Sequence, residues 1–318
     1  MLAFRLAGPE HRRREMATRC CKNNGCPKSP KWNLAKDLGF SMMRRIRDLT
    51  RTAILVAGAL PGAHAQWLNH PDPGTPRTKD GKPNLAAPAP RLNGRPDLSG
   101  LWQAERTPVR EFSRLLGDGF NAIQIDLQDV TKEAIDVFWG LKPEQVPVTP
   151  EGAAAQKRLE ATPDQWPHTQ CLPAGIPADL FVLSFKIFQA PREIVMATEI
   201  GSPVRQIYTD GRSLPKDLEP AYMGYSTGRW EGDTLVVETA GFRDGWLDGS
   251  GHPRSEQMRI TERYHRRDFG HMDVEFTFND RTYYTQPFSM KAIMRLLPDS
   301  DLIEYVCSEN EKDRTHLH

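Results

Sequence analysis

Apolar and polar residues alternate with period two through most of the second half of the chain, the pattern of half-buried β-strands. Phe185-Lys186-Ile187-Phe188-Gln189 ends at Pro191, Glu193–Glu199 ends at Gly201, and Val204–Tyr208 ends at Asp210-Gly211. Tyr222–Trp230 and Thr234–Phe242 flank Glu231-Gly232-Asp233, a hairpin signal. Met258–His265 and Met272–Asn279 flank a second turn at Arg267–Gly270, and Tyr284–Leu296 and Leu302–Cys307 complete the series. An earlier strand is read at Leu98–Trp102.

Short connections between consecutive strands favour an antiparallel meander. About eight or nine strands suffice to close an up-and-down barrel around one small ligand. The expected fold is therefore mainly β, a lipocalin-like barrel over residues 98–318, with a β-sandwich as the alternative. The segment 112–166 breaks the alternation and reads as a helical insertion. Its clearest helix has Thr149 as N-cap, Pro150 at the first helical position and Glu151 at the positive end of the dipole, and stops before Pro163.

The first 97 residues follow neither pattern. Arg44, Arg45 and Arg47 precede the apolar run Ala53–Leu60 and then Ala63-His64-Ala65, the layout of a cleaved secretion signal over residues 42–65. The run is too short to span a bilayer, so no stable membrane insertion is expected after cleavage. Residues 1–41, with Cys20, Cys21 and Cys26, are read as an upstream extension beyond the true start, and residues 66–97, rich in proline, as a strap or linker. The expected location is periplasmic or secreted.

This reading changes the charge and the cysteine count. The whole chain has a net charge of +1, but residues 1–65 hold 13 of its 42 basic and 4 of its 41 acidic residues. The remaining 253 residues carry 29 basic and 37 acidic side chains, a net charge near −8. Such a domain offers no electrostatic case for nucleic acid as a partner. Only Cys171 and Cys307 remain, and in an oxidising compartment they are expected to pair.

Two segments carry candidate chemistry. Period two puts Met258, Ile260, Glu262 and Tyr264 on one strand face; if that face is interior, Glu262 is either a general acid or base with a raised pKa or the partner of an interior arginine. The loop Asp244–Glu256 gathers polar groups among glycines. There His252 is the candidate for proton transfer, Asp248 its orienting carboxylate, and Ser255 a ligand contact or the third member of a Ser-His-Asp set. A structural turn explains the same loop equally well.

Asp210 and Arg212 mark either a tight turn or an anion contact, Arg229 is a second cation for an anionic or carbonyl group, and Trp230 and Trp246 are candidate pocket walls. His265 and His271 beside Asp268 and Asp273 lack metal-ligand spacing, so no metal is expected. No glycine-rich dinucleotide or phosphate motif occurs, so no cofactor is expected either. The expected partner is a small, partly apolar molecule, either acted on by cofactor-free acid–base chemistry (hydrolysis, elimination or isomerisation) or only bound, with an envelope protein-interaction module as the further alternative.

The strings Pro96–Trp102 (PDLSGLW), Cys171–Pro177 (CLPAGIP), Ile207–Arg212 (IYTDGR) and Gly228–Thr239 (GRWEGDTLVVET) resemble a large family of secreted bacterial proteins without an assigned activity. The likeness continues through His252–Ser255, Thr261–Tyr264 and Glu304–Cys307, and departs at Tyr225 and Phe288, where relatives often carry His and Trp. It implies export and no particular reaction. Gly100-Leu101-Trp102 is also similar to the Gly-x-Trp of the first lipocalin strand, which implies a barrel.

Overall fold

The computed structural model describes residues 71–108, 111 and 131–307; the expected signal segment and upstream extension lie outside the described residues, as do 109–110 and, within the expected helical insertion, 112–130. The chain divides into two units, and everything described belongs to the second, His64–His318.

Nine strands form a closed barrel. They are β1 (Gly100–Ala104), β2 (Phe185–Gln189), β3 (Glu193–Thr198), β4 (Val204–Tyr208), β5 (Tyr225–Glu231), β6 (Thr234–Ala240), β7 (Arg259–Arg266), β8 (His271–Asn279) and β9 (Phe288–Leu296). Each pairs with its sequence neighbours, and β9 closes onto β1. The sandwich alternative is thereby set aside.

The meander is not antiparallel throughout: β4 and β5 run parallel, with Ile207 opposite Ser226. An odd number of strands requires this, because strand direction can alternate around a closed ring only if the number of strands is even. A parallel neighbour needs a return connection rather than a tight turn. Asp210-Gly211 accordingly opens the crossover 209–224 instead of forming a hairpin corner. The expected strand at Leu302–Cys307 is also absent, and residues 301–306 have no regular structure. β9 is already flanked by β8 and β1, so no edge is left for a tenth strand.

Register places one chemical set inside. Glu262 lies opposite Val237 and Phe276, Phe276 opposite Met290, Trp102 opposite Phe185, and Met196 opposite Arg205. Directly paired residues share a face, so the interior continues through Ile194, Ile207, Ser226 and Thr239. These inward side chains are almost wholly inaccessible, with Trp102, Phe185, Met196, Glu262 and Phe276 at 0% exposure. A chamber wide enough for water would leave accessible surface on its walls. The barrel is therefore filled by its own side chains, and the expected ligand chamber inside it is not formed.

Polar groups within this core satisfy one another. Arg205 donates to both carboxylate oxygens of Glu262 at 2.5 and 2.8 Å, to Ser226 Oγ at 3.1 Å and to Thr239 Oγ1 at 2.7 Å. The Tyr264 hydroxyl donates to Glu262 at 2.6 Å. Burial opposes the Arg205 charge, but the adjacent Glu262 more than offsets it and raises the guanidinium pKa.

The two barrel ends are covered differently. At the end of the β2–β3, β5–β6 and β7–β8 hairpins, the proline-rich strap packs down. Gly270 N donates to Leu85 O at 2.8 Å, Phe269 N to Ala87 O at 2.7 Å, and Arg91 pairs with Asp233 at 2.8 Å. At the opposite end lie α1 (Lys132–Ile135), α2 (Pro150–Glu160) and the β6–β7 and β8–β9 connections. Thr149 Oγ1 caps α2 by accepting from Gly152 N at 3.0 Å. A Cβ on Gly152 would stand 2.3 Å from Tyr283 O, so glycine lets the first turn of α2 rest on the β8–β9 connection. Cys171 and Cys307 are joined by a disulfide across a separation of 136 residues, with Cα atoms 5.7 Å apart.

Candidate functional site

A cavity of about 450 Å³ opens at the α2 end of the barrel. One wall is apolar: Phe138, Leu141, Pro143, Val146 and Val148. Leu141 is 50% exposed. The other wall carries Asp136, Gln156, Glu160, Ser250 and His252. Phe138 anchors the cavity to the barrel, packing against Phe288 at 4.4 Å and edge-on to the His252 ring at 4.8 Å.

The β6–β7 loop holds its own chemistry in place. Residues Gly245–Trp246 and Pro253–Arg254 form a short ribbon that returns the loop on itself. Within it Asp248, fully buried, accepts four hydrogen bonds: from Ser250 N at 3.0 Å, His252 N at 3.2 Å, Val137 N at 2.8 Å and His252 Nδ1 at 2.6 Å. Those four use the acceptor capacity of a carboxylate. Asp248 thus ties the loop to the turn after α1 and fixes the imidazole with Nδ1–H toward itself. The His252 side chain is 7% exposed; among the described residues its Nε2 makes no hydrogen bond and retains contact with solvent.

Asp136 Oδ1 lies 3.7 Å from His252 Nδ1 and accepts from Phe138 N at 2.7 Å. Burial works against a charged imidazole, but the charge and hydrogen bond of Asp248, with Asp136 and Glu160 behind them, outweigh it and raise the His252 pKa. The Asp136 pKa is raised as well, first by burial and then by the like charge of Asp248. His252 is therefore an imidazole held by Asp248 with a raised pKa, and it lines the cavity.

Asp136, Asp248 and His252 offer ligand atoms within 4.8 Å of one another, which is compatible in size with a metal seat. Asp248 has no spare lone pair in this arrangement, and a metal on Nδ1 would displace the 2.6 Å hydrogen bond. The donor set fits a proton better than a metal ion.

The other sequence candidates lie elsewhere. Glu262 sits in the barrel core with both oxygens held by Arg205, and it does not line the His252 cavity. Ser255 is buried, and its hydroxyl and amide donate to Asp280, each at 2.8 Å, which pins the loop to the β8–β9 connection and keeps Ser255 away from His252 as a nucleophile. Asp210 pairs with Arg212 at 2.7 Å at the start of the crossover, which lowers the Asp210 pKa to about 2. Arg212 also stacks over Tyr208 at 3.9 Å. Arg229 is exposed between Glu238 and Glu231. Trp230 lies under Arg95 at the strap end, and Trp246 packs edge-on against Trp166 beside the site loop.

A larger groove, of about 850 Å³, crosses the outer face of β7–β9. Some of its charges are paired, Arg263 with Glu231 at 3.0 Å and Asp273 with Arg267 at 2.7 Å, whereas burial raises the Glu133 pKa.

Sequence reasoning did not single out Asp136, Glu160 or Arg205. Asp136 and Glu160 are 116 and 92 positions from His252, and no local pattern marks either. Arg205 does carry a signal: it is the charged residue on the β4 face that holds Ile207.

Comparison with protein-family models, with curated proteins and with solved structures finds no match.

Proposed function

We propose that this is an exported barrel protein that binds a small, partly apolar molecule at one barrel end, not inside the barrel, and acts on it by proton transfer through His252. One observation carries this reading. A largely buried imidazole, oriented by Asp248 at 2.6 Å, lines a cavity of which the other lining residues are apolar side chains on one part and polar ones on the rest, and among the described residues its Nε2 makes no hydrogen bond. Nε2 would take a proton from the bound molecule, and Asp248 would stabilise the imidazolium that forms. Hydrolysis, elimination or isomerisation would each use such a base, and none needs a cofactor. Export is supported by the Cys171–Cys307 disulfide. Among the described residues no helix is long and apolar enough to cross a membrane. Membership in the secreted bacterial family that the motifs resemble belongs to the same proposal.

Native mass spectrometry of the protein released from its own periplasm tests the reading. A small molecule retained by the wild type should be lost when Val148→Trp fills the cavity. His252→Gln should keep binding and abolish turnover of that molecule. Retention that survives Val148→Trp would overturn the assignment of the site.

A further inference from the structure

The charges around this cavity are unbalanced. Asp136 and Glu160 stand in its wall, and Asp248 lies directly behind His252. His252 is the only group in the wall able to carry positive charge, and no lysine or arginine lines it among the described residues. Lys142, between two wall residues in sequence, is exposed and does not line the cavity. Even with His252 protonated, three carboxylates face one cation. Some acids elsewhere on the surface are paired with arginine, as in Arg91–Asp233 and Arg212–Asp210, whereas no arginine or lysine lines this cavity among the described residues. Among the described residues, Asp136 accepts a backbone hydrogen bond on Oδ1 and lies 3.7 Å from His252, and Glu160 accepts from the neutral Gln156 at 3.0 Å.

Resting on the reading of this cavity as the ligand site, we infer that its ligand is an amine: a protonated nitrogen on an apolar carbon skeleton. The ammonium would sit between Asp136 and Glu160, within reach of the face of Phe138. The skeleton would cover Leu141, Val146 and Val148. The inference reverses the sequence expectation of an anionic or carbonyl group held by Arg212 or Arg229, because neither arginine lines this cavity. A metal ion does not substitute for the amine, since it would leave the apolar wall uncovered and compete for the filled acceptor positions of Asp248.

The test compares three probes with one tail: hexylamine, hexanol and hexanoate. Each is titrated into the purified protein and followed by NMR shifts of His252 and Val148. Hexylamine should bind about tenfold more tightly than hexanol, and hexanoate more weakly than either. Asp136→Asn and Glu160→Gln should each erase most of the amine preference and leave hexanol binding unchanged. Added salt should weaken the amine and not the alcohol. Glu160 is exposed, so Glu160→Gln reads out the inference even if Asp136→Asn fails to fold. If hexanol or hexanoate binds as tightly as hexylamine, with shifts at the same residues, the amine inference is overturned and the cavity reading stands. If none of the three moves His252 or Val148, both fall.

Discussion

Arg205 and Glu262 form a two-pronged ion pair at the centre of the barrel, with donor–acceptor distances of 2.5 and 2.8 Å and side chains that are 1% and 0% exposed. The pair occupies the lumen that a ligand-carrying barrel would leave empty. Both Glu262 oxygens are occupied, by Arg205, Thr239 and Tyr264, so the base of the proposed function is His252 at the barrel end.

Breaking this pair should be costly. Arg205→Met leaves a buried carboxylate uncompensated, and a loss of about 3–5 kcal/mol is expected in urea unfolding. The double variant Arg205→Met with Glu262→Leu should recover much of that loss. If the double variant is as unstable as the single one, packing rather than charge explains the effect.

His252 should titrate above the ordinary imidazole value of about 6.5. Because its folded pKa is raised, its contribution to stability is fully present below that value and disappears as pH rises through the folded pKa. The stability difference between wild type and His252→Gln should therefore shrink as pH rises above neutrality. An NMR titration of His252 should show its midpoint fall in Asp248→Asn. A midpoint unmoved by that change would remove Asp248 as the source of the shift.

The Cys171–Cys307 bond closes a loop of 136 residues. The chain-entropy model assigns such a loop about 4–5 kcal/mol. The double Cys→Ser variant should lose close to that amount, and the wild type should lose it on adding reductant. Identical melts with and without reductant would show that the bond does not form in solution.

The seating of α2 can be probed at two positions. Thr149→Ala removes the cap and should cost about 1 kcal/mol. Gly152→Ala drives a methyl group toward Tyr283 O and should cost about 2 kcal/mol or more, with weaker ligand binding because α2 carries Gln156 and Glu160. Gly152→Ala melting like the wild type would show that α2 can shift freely.

Local pattern was enough to read the strands, since β2 and β4 appear at the residues their alternation indicates and most others within a few residues. The cap of α2 and the turn at Gly232-Asp233 were also legible, because each depends on residues adjacent in sequence. The loop around His252 could be nominated for the same reason, and its Asp248 partner is only four residues away.

What the sequence by itself determined was thus periodicity, turns, one cysteine pair and a short-range His–Asp candidate. Only the tertiary structure decided that nine strands close with one parallel pair, that Glu262 is neutralised by Arg205 57 residues away, and that Asp136 and Glu160 meet His252 across a cavity. The physical reason is range. Period, capping and turn preferences act over a few residues and leave a trace in the string, whereas charge pairing and cavity formation depend on distances that exist only after the barrel has closed.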